Sequence, residues 1–276
     1  MSKRSGHVIT NGSDDGGQSP ALSRIRDDAQ RACEMLREIA NRPPRIVILG
    51  EANSGKTTLA NRLIGGDLLP ASLTSCDSYP ILVRYSPVVD LVAVDRSGRR
   101  IPIRSDADLP LPDIARLEVG LPQPRLRKYE VLDAHHQTSA ADLFALAKPG
   151  TLHIPIWCTV ATQAWKLTEQ QAWLELVRHH RHRAMLAVTC SDRIVNSGDR
   201  QKLLERLSRE TQEEFSALAL APTPWVGTTL IEDTVTVHAT RLSERRRMVA
   251  GRLARRIIRL GNLALGNADL PLMAAI

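Results

Sequence analysis

From Gly50 to Thr58 the chain reads Gly-Glu-Ala-Asn-Ser-Gly-Lys-Thr-Thr. Two glycines separated by four residues, then a lysine and a hydroxyl, make a phosphate-binding loop pattern. The residue types explain the chemistry. Glycines let the main chain wrap an anion with no Cβ in the way. A loop that runs into a helix N-terminus aims several N–H groups at one point, and the helix dipole adds positive potential there. Lys56 is placed to reach the terminal phosphates of a nucleotide, and Thr57 to offer its hydroxyl to Mg²⁺. Gly50, Asn53, Ser54, Gly55, Lys56, Thr57 and Thr58 are therefore the candidate phosphate-binding residues.

A phosphate loop names neither the base nor the reaction. A Mg²⁺ shell calls for a carboxylate at a strand end, and Asp133 closes the apolar run Val131-Leu132-Asp133. The usual Asp-x-x-Gly pattern is altered to Asp133-Ala134-His135-His136, so a backbone N–H with little crowding is missing. Guanine presents two adjacent donors that one fixed carboxylate can accept, and adenine does not. Asp192, in Thr189-Cys190-Ser191-Asp192 after the run Ala184 to Val188, stands where a guanine-reading [Asn/Thr]-Lys-x-Asp motif belongs. Cys190 replaces its lysine. Each carboxylate also has a plain structural reading, Asp133 in a loop and Asp192 as a cap on the next turn.

The elements that must position these groups follow from apolar spacing. Arg45 to Leu49 reads as a buried strand before the loop and Thr58 to Leu63 as a helix after it. Ile81 to Tyr85, Tyr129 to Asp133, His153 to Thr159 and Ala184 to Thr189 read as further strands. Asp90 to Asp95 and Arg99 to Arg104 form a hairpin turned at Ser97-Gly98. Ala140 to Ala147, Thr168 to Val177 and Arg200 to Leu218 read as helices, and Trp225 to Leu230 as a last strand. Residues 105–127, rich in Pro and Leu, give no clear pattern. Strands alternate with helices, which predicts an α/β P-loop three-layer sandwich: a mostly parallel sheet with helices on both faces. Flanking helices are expected at both ends. Leu22, Ile25, Ala29, Ala32, Leu36 and Ile39 keep helical spacing, and Pro43-Pro44 stops that helix. Arg241 to Leu265 reads as a strongly basic amphipathic helix. Either it packs beside the domain with a solvated arginine face, or it meets an anionic lipid, a protein partner or, as the least favoured reading, nucleic acid.

Composition excludes some classes. A hydrophobic content of 43% and a charged content of 24% suit a globular domain, and no apolar run is long enough to span a bilayer. The cysteines, Cys33, Cys76, Cys158 and Cys190, are scattered, which indicates neither a zinc site nor a disulfide framework. The N-terminus lacks the apolar core of a secretory signal. The net charge of +7 permits acidic partners without demanding them. His179-His180-Arg181-His182 is read as a solvated turn rather than a metal cluster, and a pH-sensing role for His135-His136 near the phosphates is a lesser alternative.

The stretch from Val47 to Tyr85 resembles the GTPase head of bacterial dynamin-like proteins. It carries Gly50 to Leu59, then Leu68-Leu69-Pro70, then Tyr79-Pro80 before the strand Ile81-Leu82-Val83-Arg84-Tyr85. The segment Ile156 to Glu169, with Gln163, Trp165 and Glu169, is similar to what precedes the guanine motif in that family, so the resemblance spans roughly residues 22–230. It implies that Lys56 and Thr57 bind phosphate and Mg²⁺, that Asp133 joins the Mg²⁺ site, and that Asp192 reads guanine. It also implies flanking helices packed together beside the head, and heads that pair across the nucleotide. The departures are Ala52 where the family carries a water-orienting polar residue, Thr74 out of register for the switch threonine, and no long helical stalk.

The expected function is Mg²⁺-dependent GTP binding with slow hydrolysis, GTP and GDP serving as ligands of a nucleotide switch, and no catalytic residue can be assigned. A hydrolysis-deficient nucleotide-binding scaffold and a P-loop ATPase are the rival readings. Expected partners are a second head and an anionic lipid or protein at the basic helix; nucleic acid is not expected. The expected location is cytoplasmic, or peripheral at a membrane. The expected organisation is a disordered tail over 1–19, a helix over 20–42, the P-loop domain over 45–232 and the basic helix and tail over 233–276.

Overall fold

The computed structural model describes residues 20–66, 79–104, 113–134, 153–176, 183–221 and 230–264. Among them run α1 (Pro20–Asn41), β1 (Arg45–Gly50), α2 (Lys56–Ile64), β2 (Ile81–Tyr85), β3 (Asp90–Asp95), β4 (Arg100–Pro102) and β5 (Ile114–Leu121). There follow β6 (Glu130–Asp133), β7 (His153–Val160), α3 (Leu167–Leu176), β8 (Met185–Thr189), α4 (Ser197–Thr211), β9 (Ala217–Ala221) and α5 (Leu230–Ala264). Several expectations lie outside the described residues: the disordered tail, Leu68-Leu69-Pro70, Thr74, His135-His136, the helix Ala140 to Ala147 and the histidines between His179 and His182.

The strands form one nine-stranded sheet in the order β4-β3-β5-β2-β6-β1-β7-β8-β9. β6, β1, β7, β8 and β9 run parallel, as does β2 with β5, while β2 meets β6 antiparallel and β3 is antiparallel to both β4 and β5. Period-two alternation sorts β1 between the faces. Ile46 and Ile48 face a core shared with Leu59 and Leu63 of α2 and with Ile231, Val235 and Ala239 of α5. Val47 and Leu49 face the opposite core, with Trp173 of α3, Leu207 of α4 and Phe215. Trp173 lies tilted over Phe215 at 4.4 Å between centroids and meets Trp157 edge-on at 5.9 Å, so the described tryptophans and Phe215 gather in that second core, while Tyr129 lies in the first. The result is the expected three-layer α/β sandwich, with a mostly parallel sheet and helices on both faces.

Two details differ from the sequence reading. The helix begun near Arg200 stops at Thr211, and Ala217–Ala221 is a strand paired in register with β8 rather than the helix's end. Leu230, expected to close a strand, opens α5 instead, while the rest of that stretch lies outside the described residues. Unread in the sequence, β5 sits between β2 and β3.

The chain divides into two units, residues 41–247 and a smaller one made of the two ends, up to Ala40 and from Met248. The larger holds the sheet. In the smaller, Cys33 and Ala40 of α1 and Ala250 and Ala254 of α5 are buried.

A candidate nucleotide site at the end of the parallel strands

The loop leaves β1 at Gly50 and enters α2 at Lys56, so it occupies the strand-to-helix turn that its glycines foretold. Gly50 has φ 140°, and a Cβ there would lie 2.5 Å from the Cys158 carbonyl oxygen and 2.6 Å from Ser54 Oγ. Gly55, with φ 84°, passes 3.2 Å from the Thr189 side chain by the same measure. A side chain at Gly50 would strike the backbone of β7, and one at Gly55 would crowd the Thr189 side chain in a backbone conformation that L residues rarely adopt. Asn53 takes the left-handed conformation, φ 59°, that asparagine tolerates better than most residues. Gly55 caps α2 without a side-chain hydrogen bond. The first turn of a helix has N–H groups without intrahelical acceptors, and here they open onto the loop.

Lys56 folds its ammonium over the loop, donating to Gly50 O at 3.1 Å and Glu51 O at 2.6 Å. Thr57 Oγ1 donates to Asp133 Oδ2 at 2.8 Å, joining residues far apart in sequence. The parallel pairing of β6 with β1 sets this contact, because it holds Asp133 beside Ile48 at the strand ends. Burial pushes the Asp133 carboxyl above its ordinary value; the Thr57 hydrogen bond and the Lys56 charge offset that only in part. The two side chains offer adjacent hard oxygens, the donor type Mg²⁺ takes, so the residues fit that ion.

The end of β8 supports the loop from the other side. Thr189 Oγ1 lies 2.8 Å from Ser54 O and 3.1 Å from Thr159 O. Cys190 then turns left-handed, φ 52°, and Asp192 sits exposed in a short 3-10 turn, Ser191–Arg193. Asp192 thus lies three residues beyond the one that touches the loop, while Thr57 and Asp133 meet directly.

No protein-family model matches the chain. Over 79 residues it is 32% identical to the uncharacterized protein YkfA of Escherichia coli, covering 26% of this chain and 28% of YkfA. Over 112 residues it is 30% identical to the isoniazid-induced protein IniC of Mycobacterium tuberculosis, covering 40% of this chain and 21% of IniC. The matched stretches are thus well under a third of those relatives' lengths. A bacterial dynamin, solved as an oligomerised pair with a role in sensing and tethering membranes, superimposes with a TM-score of 0.53 and 18% identity over 88% of this chain and 44% of its own. The chain and that dynamin share a fold. At this identity the likeness speaks for the fold alone.

The sequence reading missed the groups that brace the loop. Glu51 takes a salt bridge from Lys166 at 2.6 Å and a hydrogen bond from Thr168 at 2.7 Å, both at the start of α3. Burial would raise its carboxyl, but those hydrogen bonds and the charges of Lys166 and Lys56 hold it below its ordinary value. Behind it the buried Glu169 accepts from Thr159 Oγ1 at 2.8 Å and from the Lys166 backbone N–H at 3.1 Å, half of a capping box. A Glu three residues after the cap position Lys166 was the available signal. Cys158, fully buried under the loop, has its thiol pushed well up by burial and is no nucleophile. Among the described residues no cluster of three metal-ligating side chains occurs, and no helix is long and apolar enough to cross a membrane.

Proposed function

We propose that the chain is a Mg²⁺-dependent guanine-nucleotide-binding protein that hydrolyses GTP slowly and acts as a nucleotide switch. The observation that carries this reading is the part-buried 2.8 Å contact of Thr57 with Asp133, set beside a loop whose lysine covers its own carbonyls. Gly50, Asn53, Ser54, Gly55, Lys56 and Thr58 would line the phosphates, Thr57 and Asp133 would hold Mg²⁺, and Asp192 would accept from guanine. When bound, Mg²⁺ would neutralise charge developing on the transferred phosphoryl group. The chain's own share is positioning: backbone N–H groups and the Lys56 ammonium orient the phosphates, and Thr189 keeps the loop from opening. In this reading residues 45–232 are the head, 20–42 and 233–276 its flanks, and two heads pair across the nucleotide. The fold shared with a dynamin that forms oligomers supports pairing.

Titration calorimetry with GTP and ATP in Mg²⁺ tests it. We expect GTP uptake, a loss of at least about tenfold in Lys56→Ala, since a hydrogen-bonded charge is removed, and a GTP-selective loss in Asp192→Asn. No uptake of any nucleotide, or an unchanged Lys56→Ala, overturns the reading. ATP uptake untouched by Asp192→Asn would select the ATPase alternative. The exposed methyl of Ala52 and the left-handed Cys190 favour a second reading, a nucleotide-binding scaffold that does not hydrolyse. Single-turnover decay of bound GTP separates the two: GTP intact after hours selects the scaffold.

A further inference from the structure

The C-terminal part of α5 exposes apolar side chains that its own fold does not use. Val249 is 50% exposed, Leu253 44%, Leu260 57% and Leu263 64%. With Arg256 they advance along the helix by four, three, four and three residues. That is the spacing of a seam that faces one partner helix, narrower than the broad apolar face of an interfacial or core helix. The buried side of the same segment is elsewhere, at Ala250, Gly251, Ala254 and Gly261.

Charge defines what fits the seam. Arg252 and Arg259 stand one heptad apart along the same edge, at positions that flank a coiled-coil seam, and both are exposed. Arg256 lies within the seam itself. From Met248 to Ala264 the helix holds Arg252, Arg255, Arg256 and Arg259 and no Asp or Glu. A second copy of this helix would set arginine against arginine, which is repulsive. A bilayer would receive this stripe, with Met248 beside it, interrupted by the Arg256 guanidinium and bordered by Arg252 and Arg259.

We propose that this face of α5 docks an acidic amphipathic helix from a partner protein, with leucines in the seam and carboxylates at the heptad flanks opposite Arg252 and Arg259. The interaction is independent of the nucleotide reading.

The test uses the full chain and two synthetic helical peptides with identical leucine seams, one flanked by Glu and one by Lys, measured by fluorescence anisotropy. The Glu peptide should bind at least about tenfold tighter, because like charges across an interface are strongly disfavoured. The double variant Arg252→Glu/Arg259→Glu should invert that preference, a gain of binding that no unfolded protein would show. Leu253→Ser/Leu260→Ser should weaken the Glu peptide while leaving circular dichroism unchanged. Equal or absent binding of the two peptides, or a preference that survives charge reversal, overturns the proposal. So does binding confined to phosphatidylserine vesicles, which would make the face a lipid contact.

Discussion

Asp133 and Glu118 are both buried carboxylates on one sheet, and the molecule treats them oppositely. Glu118, on β5, lies 2.6 Å from Arg116, 2.6 Å from Arg100 and 3.6 Å from Arg84, guanidiniums drawn from β5, β4 and β2. Burial alone would raise its carboxyl, but the hydrogen bonds and charges of Arg116 and Arg100 bring it below its ordinary value. Asp133, where β6 meets the phosphate loop, accepts from the neutral hydroxyl of Thr57, and burial wins. One carboxylate is balanced by the fold. The other carries an unbalanced cost, as a site held ready for a cation would. The contrast sets a carboxylate neutralised by guanidiniums of its own and neighbouring strands beside one left against a neutral hydroxyl.

The largest expected effect breaks the balanced member. Glu118→Gln leaves the partly exposed Arg84 and Arg116 and the half-exposed Arg100 against a neutral amide, and should lower the unfolding free energy in urea by about 2 kcal/mol. Asp133→Asn keeps an oxygen for Thr57 and removes only the buried charge, so stability at neutral pH should hold or rise. The pH dependence has opposite signs. Glu118, held low, contributes stability that is complete above the unfolded value of about 4.5 and is lost as pH falls through its folded value. Asp133, held high, costs stability as pH rises through its folded value. Urea titrations at a series of pH values should therefore show a shallower acid loss in Glu118→Gln and a relief at neutral pH in Asp133→Asn. If Asp133→Asn proves as destabilising as Glu118→Gln, the contrast fails.

A second comparison uses the proposed ligand. Mg²⁺-dependent nucleotide affinity, followed by calorimetry with and without the metal, should fall about tenfold or more in Asp133→Asn, since a ligating carboxylate is replaced by a weaker donor. It should be unchanged in Glu118→Gln measured well below its melting temperature. The two variants would then separate stability from binding in both directions.

The sequence revealed one of these carboxylates and hid the other for a physical reason. The phosphate loop is contiguous, so its glycines, lysine and threonine announce the strand-to-helix turn, and Asp133 ends an apolar run that reads as a strand. Glu118 interrupts the apolar pattern of β5, and the arginines that neutralise it come partly from other strands, so nothing local marks Ile114–Leu121 as buried. β9 was lost differently. Its Ala-Leu-Ala-Leu-Ala favours helix on intrinsic propensity, and only pairing with β8 makes it a strand. Asp192 was nominated by a motif, whereas the brace between the loop and α3 joins Glu51 to Thr168 across the whole middle of the chain, which no local spacing encodes.

That brace supplies the smallest and most discriminating test, since Glu51 and Lys166 are only partly buried. Exposed ion pairs contribute little and are screened by salt. Glu51→Gln and Lys166→Met should each lower the melting temperature slightly, in the same direction, with the difference vanishing at high salt. Their effects on nucleotide affinity should have opposite signs. Removing a negative charge beside the phosphate loop should tighten binding about twofold, and removing a positive one should weaken it by a similar factor. Matching losses of affinity in both variants would mean that the pair acts by shaping the loop. Opposite changes would mean that the loop's own carboxylate restrains its affinity, placing Glu51 between the balanced Glu118 and the unbalanced Asp133.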